Sequence, residues 1–152
     1  MVQKKIIRKY LIVSYSCQEM YDLVCDIENY HHFLPYCKDS SILMQQDDLV
    51  HGQMVFSYMG LVYTVTTANK LIKNQFIGLS LLQGDLESLS GQWRFTDLYD
   101  GRCKVALNLE ICIHVGMIYY LYNRIIDTLA ETMMEKFVDR AYYIYGYGLE
   151  DS

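Results

Sequence analysis

The chain has 152 residues, 13 basic and 18 acidic, for a formal net charge of −5, and 52% of it is hydrophobic. That apolar content excludes a disordered chain, and the length suits one domain. The acidity argues against DNA as a partner and against broad electrostatic binding to any nucleic acid, which needs a basic face.

The longest nearly uncharged apolar run, Ile111–Tyr122, falls short of the ~18–20 residues that span a bilayer. The basic start, Met1–Lys9, has no apolar stretch and no small-residue cleavage site, so no signal peptide is read. A soluble cytoplasmic protein is expected. Five cysteines without a C-x-x-C pair read as reduced, mostly buried thiols. Fifteen tyrosines, each a broad apolar ring with a polar tip, suit a large or partly wet interior.

Ile6–Ser14 is β-rich, and the stretch from Lys4 to Lys9 carries Lys4, Lys5, Arg8 and Lys9 with no acid before Glu19. Such a stretch either touches phosphate or anionic lipid, or is a charged edge strand that discourages aggregation. Ser16–Glu19 is a capping box: the hydroxyl accepts from the Glu19 amide while the carboxylate reaches back. Met20, Leu23, Val24 and Ile27 follow at helical spacing, which predicts a helix ending near Asn29. Tyr30–Cys37 reads as a turn or second short helix, with Pro35 fixing the bend.

From Asp39 to His114 the period becomes two. In Cys103–Ile113 the odd positions are apolar, while Lys104, Asn108 and Glu110 stand among the even ones, as in a half-buried antiparallel strand. Asp100-Gly101 predicts a two-residue hairpin before it, and Met59-Gly60 another upstream. Asn74 and Gly84 punctuate further strands, His51 falls at a turn, and Tyr99 alternates in phase with Trp93 and Phe95. About seven strands result. The last element is a helix over roughly Met117–Tyr145, with an apolar stripe through Ile118, Tyr122, Ile125, Ile126, Leu129, Met133, Phe137, Ala141 and Ile144, stopped by Gly146. The fold class is α+β: a curved antiparallel meander with one long helix covering its face.

Four segments carry a family resemblance: Tyr15–Val24 (YSCQEMYDLV), Asp26–Cys37 (DIENYHHFLPYC), Leu82–Phe95 (LQGDLESLSGQWRF) and Phe137–Gly146 (FVDRAYYIYG). They resemble the family of coenzyme Q binding proteins and ribosome association toxins, within the START-like polyketide cyclase and lipid transport superfamily. The sequence departs from the family pattern at His31, Tyr36 and Gly84-Asp85-Leu86. The resemblance implies a helix-grip fold and either of two activities. One is non-enzymatic binding of a hydrophobic isoprenoid, ubiquinone or a similar lipid, in support of respiration. The other is binding the large ribosomal subunit to block subunit association. A cyclase-type enzyme is a third, weaker implication.

The residues themselves supply candidates for such a cavity. Trp93 is either a pocket wall or ordinary core, with Phe95 beside it. Phe33, Leu34 and Tyr36 either form a lid or staple the first helix to the sheet. Met133 and Phe137 are core by spacing and face the same interior. Arg140 either anchors a ligand oxygen, pairs with a carboxylate, or faces solvent at the helix end. A Cys37 dyad with His31 or His32 lacks an orienting third group, and His51 and His114 make no metal spacing. Asp47-Asp48 and Asp85/Glu87 read as turn and solvent residues. No metal or cofactor is called for. The expected partners are a hydrophobic ligand, the large ribosomal subunit, and a membrane surface touched transiently.

Overall fold

The computed structural model describes residues 1–116 and 119–146. Its elements run β1 (Val2–Val13), α1 (Cys17–Cys25), a 3-10 helix (Ile27–His32), β2 (Cys37–Gln46), β3 (Leu49–Tyr58), β4 (Leu61–Ile72), β5 (Phe76–Gly84), β6 (Ser88–Asp97), β7 (Cys103–His114) and α2 (Tyr119–Tyr145). The strands form one antiparallel sheet in the order β1-β7-β6-β5-β4-β3-β2. Consecutive strands from β2 to β7 are neighbours, and only β1 arrives from elsewhere to pair with β7. This is the helix-grip architecture: a curved meander closed by one long helix.

Local chemistry sets most element boundaries. The Ser16 hydroxyl accepts from the Glu19 amide, and the Glu19 carboxylate accepts from the Ser16 amide, so both halves of the capping box form. The helix ends at Cys25, earlier than Asn29, because Asp26 leaves helical geometry and the chain tightens into the 3-10 turn. The Tyr30 hydroxyl donates to the Val24 carbonyl and ties that turn back to α1. Along β7 the odd positions from Cys103 to Ile113 are buried, as the period-two pattern requires. Beside it, Gly91 has φ +153°, and a Cβ there would stand 2.0 Å from the Asn108 carbonyl oxygen. Only glycine lets β6 and β7 come together at this point.

Several expectations shift. The loop after β6 is not a two-residue turn at Asp100-Gly101. It spans residues 98–102, with the Asp100 carboxylate accepting from the Arg102 backbone and guanidinium. Tyr99 therefore leaves the strand, takes φ +62° and is exposed. His51 lies inside β3, opposite Ala68 of β4; the turn belongs to Asp47-Asp48, where Asp47 has positive φ. On α2 the buried stripe includes Met134 and reaches Ala141, but Ile144 is exposed. The four-residue step continues to Tyr145, whose hydroxyl donates to the Glu19 carbonyl of α1. Met117 and Ile118 lie outside the described residues.

The basic first strand is largely engaged. Lys5 pairs with Asp127 of α2 at 2.8 Å, Lys9 donates to the Glu131 carbonyl, and Lys4 pairs with Glu110 of β7 at 3.1 Å. The Lys5 and Lys9 contacts bind this sheet edge to α2, while the Lys4 pair lies within the sheet. None of the described helices is long and apolar enough to cross a membrane.

The β3–β4 hairpin yields a prediction. Met59 and Gly60 both have positive φ, +53° and +81°, which is the two-residue turn whose twist matches the strands. Methionine gains nothing from the left-handed region, whereas asparagine tolerates it. Met59 is exposed, so no packing is lost on changing it. Met59→Asn should stabilise the fold by roughly 0.5–1 kcal/mol, measured as a higher urea midpoint at unchanged m-value.

Candidate functional site

Between the sheet and α2 lies a cavity of about 110 Å³. Every main element except α1 and β2 contributes to its wall. Gly52, Met54 and Phe56 come from β3; Tyr63, Val65, Thr67 and Asn69 come from β4. Trp93 and Leu89 of β6 and Leu109 and Ile111 of β7 form the opposite side. Ile126, Leu129, Met133 and Phe137 of α2 close it, with Tyr30 and Leu34 at one end.

The wall is apolar apart from a few groups. Thr67 and Asn69 are both buried, and the Thr67 hydroxyl donates to Asn69 Oδ1 at 2.7 Å. They stand two apart on β4, hence on one face, and that face is the cavity side. Tyr63 packs edge-on against Tyr122 with ring centroids 4.5 Å apart. Burial, then Tyr122 and Asp85, push the Tyr63 hydroxyl above the ordinary tyrosine range. Tyr122 shifts the same way through burial and its interaction with Asp85. Asp85, at the surface, thus meets a tyrosine hydroxyl as well as solvent.

One aromatic cluster fixes the end of this space. Phe137 is 1% exposed and meets three rings edge-on: Trp93 at 5.1 Å, Phe33 at 5.1 Å and Tyr30 at 5.3 Å. The strand carrying Trp93 therefore faces the Phe137 turn of the helix. Phe95 stacks behind Trp93 at 6.3 Å and meets Tyr21 of α1.

The sequence candidates divide into two groups. Leu34, Trp93, Met133 and Phe137 line the cavity. Phe95 is core behind it. Tyr36 lies outside, packed on Tyr58 at 5.0 Å and close enough to Arg124 to raise its guanidinium's affinity for the proton. Phe33 and Arg140 meet in a separate surface cleft that also includes Asn29, His32, Lys136 and Asp139. There the Arg140 guanidinium is held between the Phe33 ring at 5.4 Å and the Tyr143 ring at 4.9 Å, and its Nε has no hydrogen-bond partner among the described residues. Gly52, Tyr63, Thr67 and Asn69 escaped sequence reasoning. β4 carries threonine on both faces, which hid the inward one.

The remaining reactive groups point elsewhere. His31 Nδ1 lies 3.0 Å from Ser40 Oγ, and its ring leans on His32. The Cys37 thiol meets the Asp39 carbonyl, and burial pushes it up to about 11. His114 pairs with Glu87 at the surface. No group of three or more metal-ligating side chains occurs among the described residues.

This site predicts a sharp contrast in stability. Phe137→Ala removes a ring from the centre of four and should cost about 3–5 kcal/mol in denaturant unfolding. Tyr143→Ala, at an exposed ring whose contact is the Arg140 guanidinium, should cost no more than about 1 kcal/mol.

Known proteins place the chain. Residues 13–138 match the family described as polyketide cyclase / dehydrase and lipid transport. The ribosome association toxin RatA of Vibrio cholerae is 34% identical over 142 residues, covering 93% of this chain and 99% of that protein. The mitochondrial coenzyme Q-binding protein COQ10 homolog B of Xenopus laevis is 24% identical over 140 residues, covering 89% of this chain and 57% of that protein. The crystal structure of the Zhui aromatase/cyclase from a Streptomyces species superposes with a TM-score of 0.78 over 97% of this chain and all of that one; at 13% identity the likeness is one of fold. The chain belongs to the polyketide cyclase / dehydrase and lipid transport family and is a relative of the RatA proteins.

Proposed function

We propose that this chain is a non-enzymatic START-like domain that binds an isoprenoid quinone, ubiquinone or a close relative, between its sheet and α2. The observation that carries the reading is the apolar cavity with a single buried polar pair, Thr67 and Asn69, on its wall. Apolar walls take up ring and tail through burial at about 25 cal/mol per Å². With Asn69 Oδ1 occupied by Thr67, the amide nitrogen is the group left to donate, and a quinone carbonyl is an acceptor. The coenzyme Q-binding relative supports the same ligand class. Neither His31 nor His32 lines the cavity, and Tyr63 is kept protonated by burial, so the interior offers binding groups more readily than a general base. At about 110 Å³ the space holds a ring-sized group. Ligand pockets for larger molecules run to ~300–1,000 Å³, so a tail enters as Met54, Met133 and the leucines repack. The reading places the protein in the cytoplasm, touching a membrane surface only to load or release its ligand.

Trp93 is the one tryptophan in the sequence and lines the cavity, which supplies the readout. Titration with a short-tailed ubiquinone should quench its fluorescence saturably. Asn69→Leu should weaken binding roughly tenfold, the worth of one buried hydrogen bond. Val65→Phe, which fills the space, should abolish it. If solvent extraction of the purified protein yields no co-purified isoprenoid and quenching never saturates, the reading fails.

A second reading, association with the large ribosomal subunit, rests on the RatA relative, which matches over nearly its whole length. The cleft beside Arg140 supports it: Lys136 and Arg140 face one carboxylate, Asp139, and an aromatic floor of Phe33 and Tyr143. Phosphate and stacked bases suit such a surface. The chain added to purified subunits should then reduce subunit joining in sucrose gradients, and Lys136→Glu with Arg140→Glu should restore it. Unchanged joining by the parent protein would exclude this reading and leave quinone binding untouched.

A further inference from the structure

We propose that Cys17 and Cys103 are a covalent modification site, a thiol pair that a low-molecular-weight disulfide of the glutathione class converts into an intramolecular disulfide. Cys17 is the first residue of α1, and Cys103 the first of β7, 86 positions later. Their sulfurs lie 2.7 Å apart, so closing a bond of ~2.03–2.05 Å needs them to approach by only about 0.7 Å. The two thiols differ in access. Cys103 is 0% exposed. Cys17 is partly exposed and lines an open surface cleft with Gln75, Arg94, Thr96 and Asp97. An incoming reagent therefore meets Cys17 alone, and Cys103 waits directly behind it as the resolving thiol.

The chemistry balances without a bound cofactor. The Cys17 thiol loses its proton to solvent, and the thiolate attacks one sulfur of the small disulfide. A mixed disulfide forms on Cys17 and one small thiolate leaves. Cys103 then loses its proton, attacks the Cys17 sulfur and expels the second small thiolate. Two protein thiols have given up two electrons and two protons, and one reagent disulfide has become two thiols. Burial pushes the Cys17 thiol up, the Cys103 contact draws it down, and the Asp97 carboxylate raises it further. Burial also holds the Cys103 thiol well above the ordinary range. Both thiols are thus protonated near neutrality, and the reaction should accelerate as pH rises from about 7 to 9.

Closure would tie α1 to the sheet at the end where α1 also holds α2, since the Glu19 carbonyl accepts from Tyr145 and the Tyr15 ring lies 6.1 Å from the Tyr145 ring. None of this depends on what occupies the cavity. Of the other cysteines, Cys25 lies at the far end of α1 from Cys17, Cys112 lies toward the far end of β7 from Cys103, and Cys37 opens β2.

The test uses the reduced, folded, full-length chain and oxidised glutathione. The expected result is a mass lower by two hydrogens, a peptide linking Cys17 to Cys103, faster conversion at higher pH, and a Tm raised by roughly 5–10 °C. Cys103→Ala should instead stop at a glutathione adduct on Cys17. Cys17→Ser, changed at the accessible end and so the safer variant to fold, should remain unmodified at Cys103. A persistent adduct on Cys17 of the parent chain, a linkage through any other cysteine, or an unchanged mass at both pH values while the unfolded chain reacts would each overturn the proposal.

Discussion

The structure depends on one constraint: a single 27-residue helix must cover the inner face of a seven-stranded sheet. A helix is about 10–12 Å across and a curved sheet of seven strands is wider, so the helix cannot touch every inward side chain. Phe137 settles where contact is made. It draws β6 through Trp93, and the 3-10 turn through Tyr30 and Phe33, onto one turn of α2. Rings of this size act as spacers as well as glue. Between sheet and helix they leave the cavity, with Tyr63 of β4 meeting Tyr122 of α2 beside it. Its existence follows from a mismatch of widths bridged by aromatic side chains.

The same constraint separates the two surfaces on which function is proposed. The inward face of α2 offers Ile126, Leu129 and Met133 to the cavity, while Lys136, Asp139 and Arg140 stand in the outer cleft one to two turns further on. Phe33 belongs to both neighbourhoods, touching Phe137 on one side and the Arg140 guanidinium on the other. The contact between Phe137 and Phe33 thus stands between the cavity and the cleft. Charge is excluded from the interior, where an unpaired ion costs several kcal/mol, and collects at the rim, where water solvates it.

The fold was legible in the sequence wherever one side of an element is wet and the other dry. β7 shows this best, because its even positions include Lys104, Asn108 and Glu110 while its odd ones are apolar. The capping box was legible because it needs only four residues in contact with each other. What failed were features that a repeat period does not carry, side-chain contacts within a loop and partners on other elements. Tyr99 kept the phase of β6 in the sequence but leaves the strand, because Asp100 and Arg102 organise a wider loop. Ile144 looked like the next turn of the stripe, yet Tyr145 has the partner, Glu19, that holds it inward. The site was half legible for the same reason. Trp93, Phe137, Leu34 and Met133 announce themselves by size and spacing, whereas Arg140 among apolar neighbours gave no sign of which side of the helix end it would take. Thr67 and Asn69 were invisible, since a polar residue on β4 reads as outward until its sheet neighbours are known.

Cavity size bears on what kind of ligand the fold can hold with useful affinity. On the proposed reading, burying a ring of roughly 200 Å² contributes about 5 kcal/mol, close to the lower end of what association costs in lost freedom. A ring alone would bind near break-even. Each isoprene unit adds five carbons at about 0.8 kcal/mol apiece, so the tail decides the affinity. The cavity as it stands is filled by the ring, and the tail must displace protein. Two side chains of its wall are cheap to move, because Met54 and Met133 are unbranched. Opening must cost less than about two isoprene units return, or the closed form persists. Phe137 and its rings are the fixed point of that exchange, because moving them would surrender the packing that holds the helix to the sheet.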